Sequence, residues 1–460
     1  MPSLDNVIKS YDVRGLVPDE LDTNLAHDVG AAFVRVIGAA ARDGGAGAVV
    51  VGHDMRPSGP DLVAAFCQGV IDQGCDVVQI GLCSTDGIYF ASGSHNMPGA
   101  MFTASHNPAD YNGIKLCRAG ASPVGIDTGL AQIKQMIIEG IPAFDGPNGY
   151  LRSEDMLDAY AIYLRHLVDL EDLRPLKVVI DAGNGMGGYT APAVLGPLPL
   201  EIVPMYFELD GTFPNHEANP IEPANLRDLQ TAVVKHGADL GLAFDGDADR
   251  CFVVDERGEI VDPSTLTALI ATLELAKAPG SPVIHNLITS RAVPEIIAEH
   301  GGRPVRTRVG HSYIKATMAE TGAVFGGEHS GHFYFRDFWR ADSGMLAALH
   351  ILSFLGHTPA GTRLSDELAE YTRYCRSGEI NTSVFDPPAA MVAVMESFQN
   401  RDQISIDTLD GVTISTPDWW LNLRPSNTEP LLRLNIEAHD SVQLEQLRDE
   451  VLSILAAFAS

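Results

Sequence analysis

Four short stretches of the chain gather side chains that can do chemistry. In TASHNP (103–108), Ser105 closes the apolar run GAMFTA, His106 follows it, and Lys115 lies ten residues on. A hydroxyl beside an imidazole is the raw material of nucleophilic catalysis, and a strand end is where open α/β sheets bind ligands. The same pair also makes local hydrogen bonds, so spacing alone leaves both readings open. An earlier Ser-His-Asn, at Ser94, sits in a turn-rich joint and is expected to cap backbone groups instead.

The stretch FDGDADR (244–250) sets Asp245, Asp247 and Asp249 at alternate positions, with Arg250 adjoining. Carboxylates so close repel unless a cation binds them, and hard oxygen donors suit Mg²⁺. An EF-hand fails here: the position that needs a turning Gly is Arg250, and the flanks read as strands. A solvated acidic turn is the other reading. GEHSGH (327–332) offers Glu328, Ser330 and His332 between glycines, able to read sugar hydroxyls or simply to turn a hairpin. RPSNTEP (424–430) supplies a guanidinium from Arg424, hydroxyls from Ser426 and Thr428 and an amide from Asn427. That is a phosphate cradle without the P-loop pattern. GNGMGG (183–188) satisfies GxGxxG, with Glu208 and Asp210 placed as a ribose acid would be; a dinucleotide would leave the other loops unexplained.

The elements that must position these loops repeat. AVVVGHDMRPSGPDLVAAF from Ala48, KVVIDAGNGMGGYTAPAVL from Lys177 and PVIHNLITSRAVPEIIAEH from Pro282 each read as strand, turn and helix. Second strands follow at CDVVQIGL, LEIVPMYF and RPVRTRVG, and a third ends in one of the first three polar loops. Near the end, GVTISTPDWWLNLRPSNTEPLLRLNIEA reads as strand, strand, polar loop and strand. A helix follows, capped by Asp440 or Ser441, with Leu444, Leu447, Val451, Ile454 and Leu455 on one face. The expected fold is α/β in four domains: three similar mixed α/β sheet domains (1–150, 151–256, 257–370) and a smaller C-terminal α+β domain (371–460), around a central cleft.

A formal charge of −29, from 31 basic and 60 acidic side chains, argues against nucleic-acid and anionic-membrane partners. Any phosphate site must then be a local concentration of cations, for which Arg14 of YDVRG and the arginine of VGHDMR are candidates. The longest apolar stretch, 345–355, is too short to span a bilayer and reads as a core helix. The start lacks a secretory pattern, and six cysteines without CxxC spacing suit a reducing compartment, so a cytoplasmic protein is expected.

In this order and spacing, TASHNP, DGDADR, GEHSGH and RPSNTEP, with YDVRG near the start, resemble the α-D-phosphohexomutase family over essentially the whole chain. The sugar loop is most similar to that of the bacterial phosphomannomutase/phosphoglucomutase group, and Ser330 stands where the N-acetylglucosamine branch usually has Asn. The resemblance implies that Ser105 is a phosphoserine and that Asp245, Asp247 and Asp249 hold Mg²⁺ together with its phosphate. It implies that Glu328 and Ser330 bind sugar hydroxyls, and that Arg424, Ser426, Asn427 and Thr428 grip the non-reacting phosphate. Lys115, Arg14, His106 and His332 become candidates for proton transfer and charge stabilisation, with Arg250 and His311 beside the substrate. The implied reaction is reversible conversion of a hexose 6-phosphate, mannose first and glucose also, to its 1-phosphate, with hexose 1,6-bisphosphate as intermediate and activator. Phosphoglucosamine mutase, a metal-dependent serine phosphatase and a non-catalytic phosphosugar-binding protein are the alternatives. Many family members place a basic residue where this chain reads NLITSR, leaving Arg291 as the local cation. Monomer and homodimer are equally compatible with the sequence.

Overall fold

A computed structural model describes residues 4–39, 47–425 and 431–459. Its first three sheets share one plan. In the first, Ala48–His53 pairs in parallel with Asp76–Leu82 on one side and Gly99–Phe102 on the other, and Tyr111–Arg118 returns antiparallel to the latter. Leu176–Asp181, Leu200–Met205, Leu240–Phe244 and the returning Cys251–Asp255 repeat that order. Pro282–Asn286, Arg303–Thr307, Phe325–Gly327 and Phe333–Phe335 repeat it again. In every copy a helix connects first strand to second and another connects second to third. The β-branched runs seen in the sequence are the central parallel strands, mostly apolar because helices cover both faces; beside the second of them, all five residues of Leu240–Phe244 are buried.

The plan has one functional consequence. Third strand and return strand form a hairpin, and its turn carries the polar loop: TASHNP, DGDADR or GEHSGH. The first sheet adds Val13–Leu16 beside the return strand, with Arg14 opposite Gly113, which brings YDVRG to the same edge. It also takes in Leu151–Ser153, just past the expected break at 150, and the second sheet takes in Ile260–Val261, past that at 256.

A continuous apolar core runs through all three sheets around the helix Gly344–Gly356, whose Met345, Leu346, Leu349 and Leu352 are fully buried. This is the core helix expected over 345–355. The fourth sheet is antiparallel, in the order Cys375–Ser383, Leu431–Ala438, Trp419–Pro425, Val412–Ser415, Ser405–Asp407. Helices Pro387–Phe398 and Ser441–Leu455 pack on it around a separate core. Asp440 caps the latter by accepting from the Gln443 N–H at 2.8 Å; Leu447, Val451 and Leu455 are buried, and Leu444 and Ile454 half-buried against them.

Candidate functional site

The three hairpin turns converge. Ser105, buried and left-handed at φ 50°, sits in a turn held from beneath by Arg56. The Arg56 guanidinium donates to the carbonyls of Ser105 (2.9 Å), Asn107 (2.7 Å), Pro108 (2.7 Å) and Tyr111 (2.8 Å), and pairs with Asp54. Arg56 is the arginine of VGHDMR. Its donors go to loop backbone, so the expectation of a phosphate-facing cation there is corrected. Arg14 does line the turn: it donates to Asn107 Oδ1 at 2.6 Å while paired with Asp12.

The Ser105 hydroxyl donates to Asp245 Oδ2 at 2.8 Å and lies 3.1 Å from His106 Nδ1. That nitrogen already accepts from Arg250 Nη2 at 2.5 Å. The His106 ring is exposed, but a guanidinium can only donate, so Nδ1 carries no proton and its lone pair is committed to Arg250.

Asp245 also accepts from Arg250 Nε at 2.8 Å; burial pushes its carboxyl up to about 7 despite that guanidinium. Lys115, reaching from the return strand of the first sheet, places Nζ 2.7 Å from both Asp247 Oδ2 and Asp249 Oδ2. Burial alone would lower the Lys115 ammonium, but Asp247 and Asp249 hold it well above its usual range. Burial and Asp249 oppose ionisation of Asp247, yet Lys115 and the Thr85 hydroxyl keep it below the usual carboxylate range. His332 stands 3.5 Å from Asp249 Oδ1; burial lowers its imidazole, and Asp249 more than restores it, raising it overall.

Close approach of the Asp and Ser loops depends on Gly246, where a Cβ would lie 2.3 Å from the Ser105 carbonyl oxygen. The GNGMGG turn lies under the same loop: the Met186 N–H donates to Gly246 O at 2.9 Å, and a Cβ on Gly185 would lie 2.7 Å from that oxygen. The space a pyrophosphate would need is filled by backbone, which excludes the dinucleotide reading.

The third turn docks on the second through the Cys251 N–H to Gly331 O, 3.2 Å, and a bridge between Arg250 and His332. Ser330 Oγ lies 2.8 Å from His332 Nδ1. Glu328 is buried, with Oε1 accepting from the Gly310 N–H (3.1 Å) and Asn286 Nδ2 (3.3 Å) and Oε2 from the Tyr334 hydroxyl (2.7 Å). His311 opens the helix His311–Thr321 beside Gly310. Across the cleft, Arg424 donates to Glu379 Oε2 at 2.8 Å, and Arg433, opposite it in the ladder, to Glu379 Oε1 at 3.1 Å. Ser426, Asn427 and Thr428 lie outside the described residues. Arg291 donates to Thr416 O (2.8 Å) and Trp419 O (3.4 Å), strapping the third sheet to the fourth, while Ile288 is buried against Trp420. The NLITSR loop thus turns its cation to the interdomain seam.

Descriptions of the phosphoglucomutase/phosphomannomutase family match the chain in four consecutive pieces: α/β/α domain I over 5–141, α/β/α domain II over 158–258, α/β/α domain III over 262–374 and the C-terminal domain over 379–454. The chain belongs to the phosphoglucomutase/phosphomannomutase family. This family, the phosphohexomutases, catalyses intramolecular phosphoryl transfer and is classed with the isomerases. Among similar phosphohexomutases are proteins named phosphohexose mutases in Xanthomonas campestris pv. campestris, 41% identical, covering 97% of this chain and 98% of the relative. A phosphomannomutase of Salmonella montevideo is 38% identical with the same coverage. The crystal structure of a phosphoglucomutase/phosphomannomutase family protein from Burkholderia thailandensis superposes with a TM-score of 0.88 at 32% identity, covering 99% of this chain and 98% of that one.

The phosphohexomutase fold and the acidic group expected from the sequence are both present. Asp245, Asp247 and Asp249 each offer a carboxylate oxygen within 4.8 Å of the others. Asp247 Oδ1 is buried without a hydrogen-bond partner, as an oxygen reserved for a cation would be, and Asp249 Oδ1 faces only His332 at 3.5 Å. Asp249, His332 and Asp342 also gather within 4.8 Å, but Lys315 Nζ, 2.6 Å from Asp342, neutralises that carboxylate. Among the described residues no helix is long and apolar enough to cross a membrane.

Thr85, Arg376, Arg433 and Glu379 carry no local sequence signal that marks them. Thr85 and Arg376 act through contacts to other domains, and Arg433 and Glu379 meet through strand pairing within the fourth sheet.

Proposed function

We propose that the protein is a phosphomannomutase that interconverts mannose 6-phosphate and mannose 1-phosphate and also accepts glucose phosphates. The observation that carries this reading is the Ser105 hydroxyl, 2.8 Å from one carboxylate of a triad whose central member, Asp247, keeps a buried, unpartnered oxygen. A serine so placed suits a phosphoryl carrier: its phosphate oxygens would share the cation with Asp245, Asp247 and Asp249. Mg²⁺ bound there would neutralise charge developing on the transferring phosphoryl group.

In the forward half-reaction the bond from phosphorus to Ser105 Oγ breaks as one forms to the free sugar hydroxyl, whose proton leaves to a base of the cleft. The resulting hexose 1,6-bisphosphate turns over and returns its other phosphate to Ser105. His332, touching Asp249, is our candidate for that proton, while Lys115, held as an ammonium by Asp247 and Asp249, joins Arg14 and Arg250 in stabilising charge. His106, committed to Arg250, serves as a positioning group. We assign Glu328 and Ser330 to the sugar hydroxyls, Arg424, with Ser426, Asn427 and Thr428, to the remote phosphate, and His311, first in its helix, to the substrate as well. Holding the remote phosphate orients the acceptor hydroxyl. Hexose 1,6-bisphosphate would act as activator by phosphorylating Ser105. Names of relatives support the choice of sugar, including the phosphomannomutase/phosphoglucomutase of Pseudomonas syringae pv. tomato, 37% identical over 96% of this chain. Free, mostly buried cysteines support a cytoplasmic setting, and the chain is read as dividing into four domains near 150, 256 and 370.

The test is ³¹P NMR with Mg²⁺, mannose 1-phosphate and a trace of hexose 1,6-bisphosphate. A mannose 6-phosphate signal growing at constant total ester is expected, and Ser105→Ala should lose turnover while still binding the sugar phosphate. Growth of inorganic phosphate instead would show a phosphatase. Turnover surviving in Ser105→Ala would remove the carrier role.

A further inference from the structure

The residue that fixes the central carboxylate of the triad belongs to a different domain from the triad itself. Thr85 is the first residue of the helix Thr85–His95, after the second strand of the first sheet, and is fully buried. Its hydroxyl donates to Asp247 Oδ2 at 2.6 Å, and its N–H donates to the Asp247 carbonyl at 3.0 Å. A threonine at a helix start ordinarily spends its hydroxyl on its own first turn. Here the neighbouring Ser84 takes that task, accepting from the Gly87 N–H at 3.3 Å, and the Thr85 hydroxyl crosses 162 positions of sequence to a carboxylate.

The helix start is itself anchored. Asp86, buried, accepts from the hydroxyls of Ser84, Tyr160 (2.7 Å) and Ser343 (2.5 Å), and so joins the first domain to the second and third. Thr85 is therefore a fixed point, not a rotor that follows Asp247. With Oδ2 held by Thr85 and Lys115, Oδ1 is left buried and without a partner.

We propose that Thr85 is the positioning residue that sets divalent-cation affinity, by clamping Asp247 through side chain and backbone so that one carboxylate oxygen is presented to the ion. The proposal rests on reading the aspartate triad as a Mg²⁺ site. Groups that orient metal ligands are typically worth about tenfold to 100-fold in affinity.

The test compares Thr85→Val, which keeps the shape and removes the hydroxyl, with Thr85→Ser, which keeps the hydroxyl. Mn²⁺ binding is measured by electron paramagnetic resonance and Mg²⁺ binding by calorimetry, on proteins whose metal-free melting temperatures are recorded. Thr85→Val is expected to bind both ions at least about tenfold more weakly and Thr85→Ser within about threefold of wild type. A purely structural threonine would lower the metal-free melting temperature of Thr85→Val and leave affinity unchanged, which overturns the proposal. Equal weakening in both variants also overturns it, because the hydroxyl would not be the cause. A wild-type protein that binds neither ion removes the metal reading and the role of Thr85 with it. If Thr85→Val does not fold, Thr85→Ala takes its place: weakened binding there beside intact affinity in Thr85→Ser supports the clamp, and intact affinity in both overturns it.

Discussion

Gly246→Ala isolates the distance between the serine loop and the aspartate loop. Gly246 is absent from the left-handed region of backbone conformation, so alanine brings no backbone strain, only a methyl group. That methyl would lie 2.3 Å from the Ser105 carbonyl oxygen and 3.2 Å from its carbon. Carbon and carbonyl oxygen rest at about 3.3 Å or more, so the loops must part by about 1 Å. Neither can yield cheaply. Arg56 pins the Ser105 turn by four carbonyls, and Gly246 O is bonded to the Met186 N–H. Overpacking of this kind costs about 1–3 kcal/mol of stability. A misplacement of about 1 Å between reacting groups costs about 100-fold in rate, equivalent to about 2.7 kcal/mol of barrier. The assay is kcat with mannose 1-phosphate at saturating hexose 1,6-bisphosphate, beside a calorimetric melt. Gly237→Ala is the control: its φ of 58° makes alanine strained, yet nothing surrounds its added methyl, so it should lose stability and keep kcat. A Gly246→Ala enzyme within about threefold of wild-type kcat would refute the reasoning, since the loops would then tolerate the parting.

Asp86 gives a pH signature. Burial raises its carboxyl from 3.8 to about 6 against the hydroxyls of Ser343, Ser84 and Tyr160, so the folded protein holds a proton that the unfolded chain has released. Its contribution is whole below pH 4 and is lost as pH rises to about 6, at most about 3 kcal/mol; urea melts of Asp86→Asn should match wild type near pH 4 and exceed it at pH 7, and a gap independent of pH would contradict this. Arg376 crosses from the fourth sheet to Asp262 (2.6 Å to each oxygen), Ser264 (2.8 Å) and the Ile288 carbonyl (2.8 Å). Arg376→Ala should loosen that seam by about 1–3 kcal/mol, seen as faster tryptic cleavage around Arg373 and a raised KM for the sugar phosphate; unchanged values for both would show that the seam is held elsewhere.

The fold was legible where burial dictates composition. Parallel strands covered on both faces must be written in apolar, β-branched residues, so Ala48, Lys177 and Pro282 marked the first strand of each copy to within a residue. Strands that escaped are those without that constraint: Cys375–Ser383 is half-buried at most, and Ser405–Asp407 is a short edge strand. In the site, the hairpin turns announced themselves because carboxylates and hydroxyls crowded between glycines have few structural uses. The direction of long side chains was not legible. Arg56 and Arg291 look in sequence like cations for a phosphate, but both are spent on backbone carbonyls, because their five donors reach whatever acceptors the tertiary fold brings near. Glu328 likewise has both oxygens occupied by groups from three separate segments, which no local pattern encodes.

The pairing of the remaining cations bears on how such a site can work in both directions. In a chain of charge −29, these cations at the cleft arrive already paired with carboxylates: Arg14 with Asp12, Lys115 with Asp247 and Asp249, Arg250 with Asp245, and Arg424 with Glu379, which Arg433 shares. At an effective dielectric of about 20, unit charges about 4 Å apart interact by about 4 kcal/mol. Unpaired, four such cations would hold a bisphosphate too tightly to let it leave either end of the cleft. Paired, each must exchange a carboxylate for a phosphate, so the net gain on binding is a difference between two similar terms. On the proposed function that difference is what the reaction requires, because the bisphosphate must release one phosphate from the serine loop and the other from the fourth domain before it can turn. A cleft rich in cations and equally rich in their partners is selective for phosphate and still able to let it go.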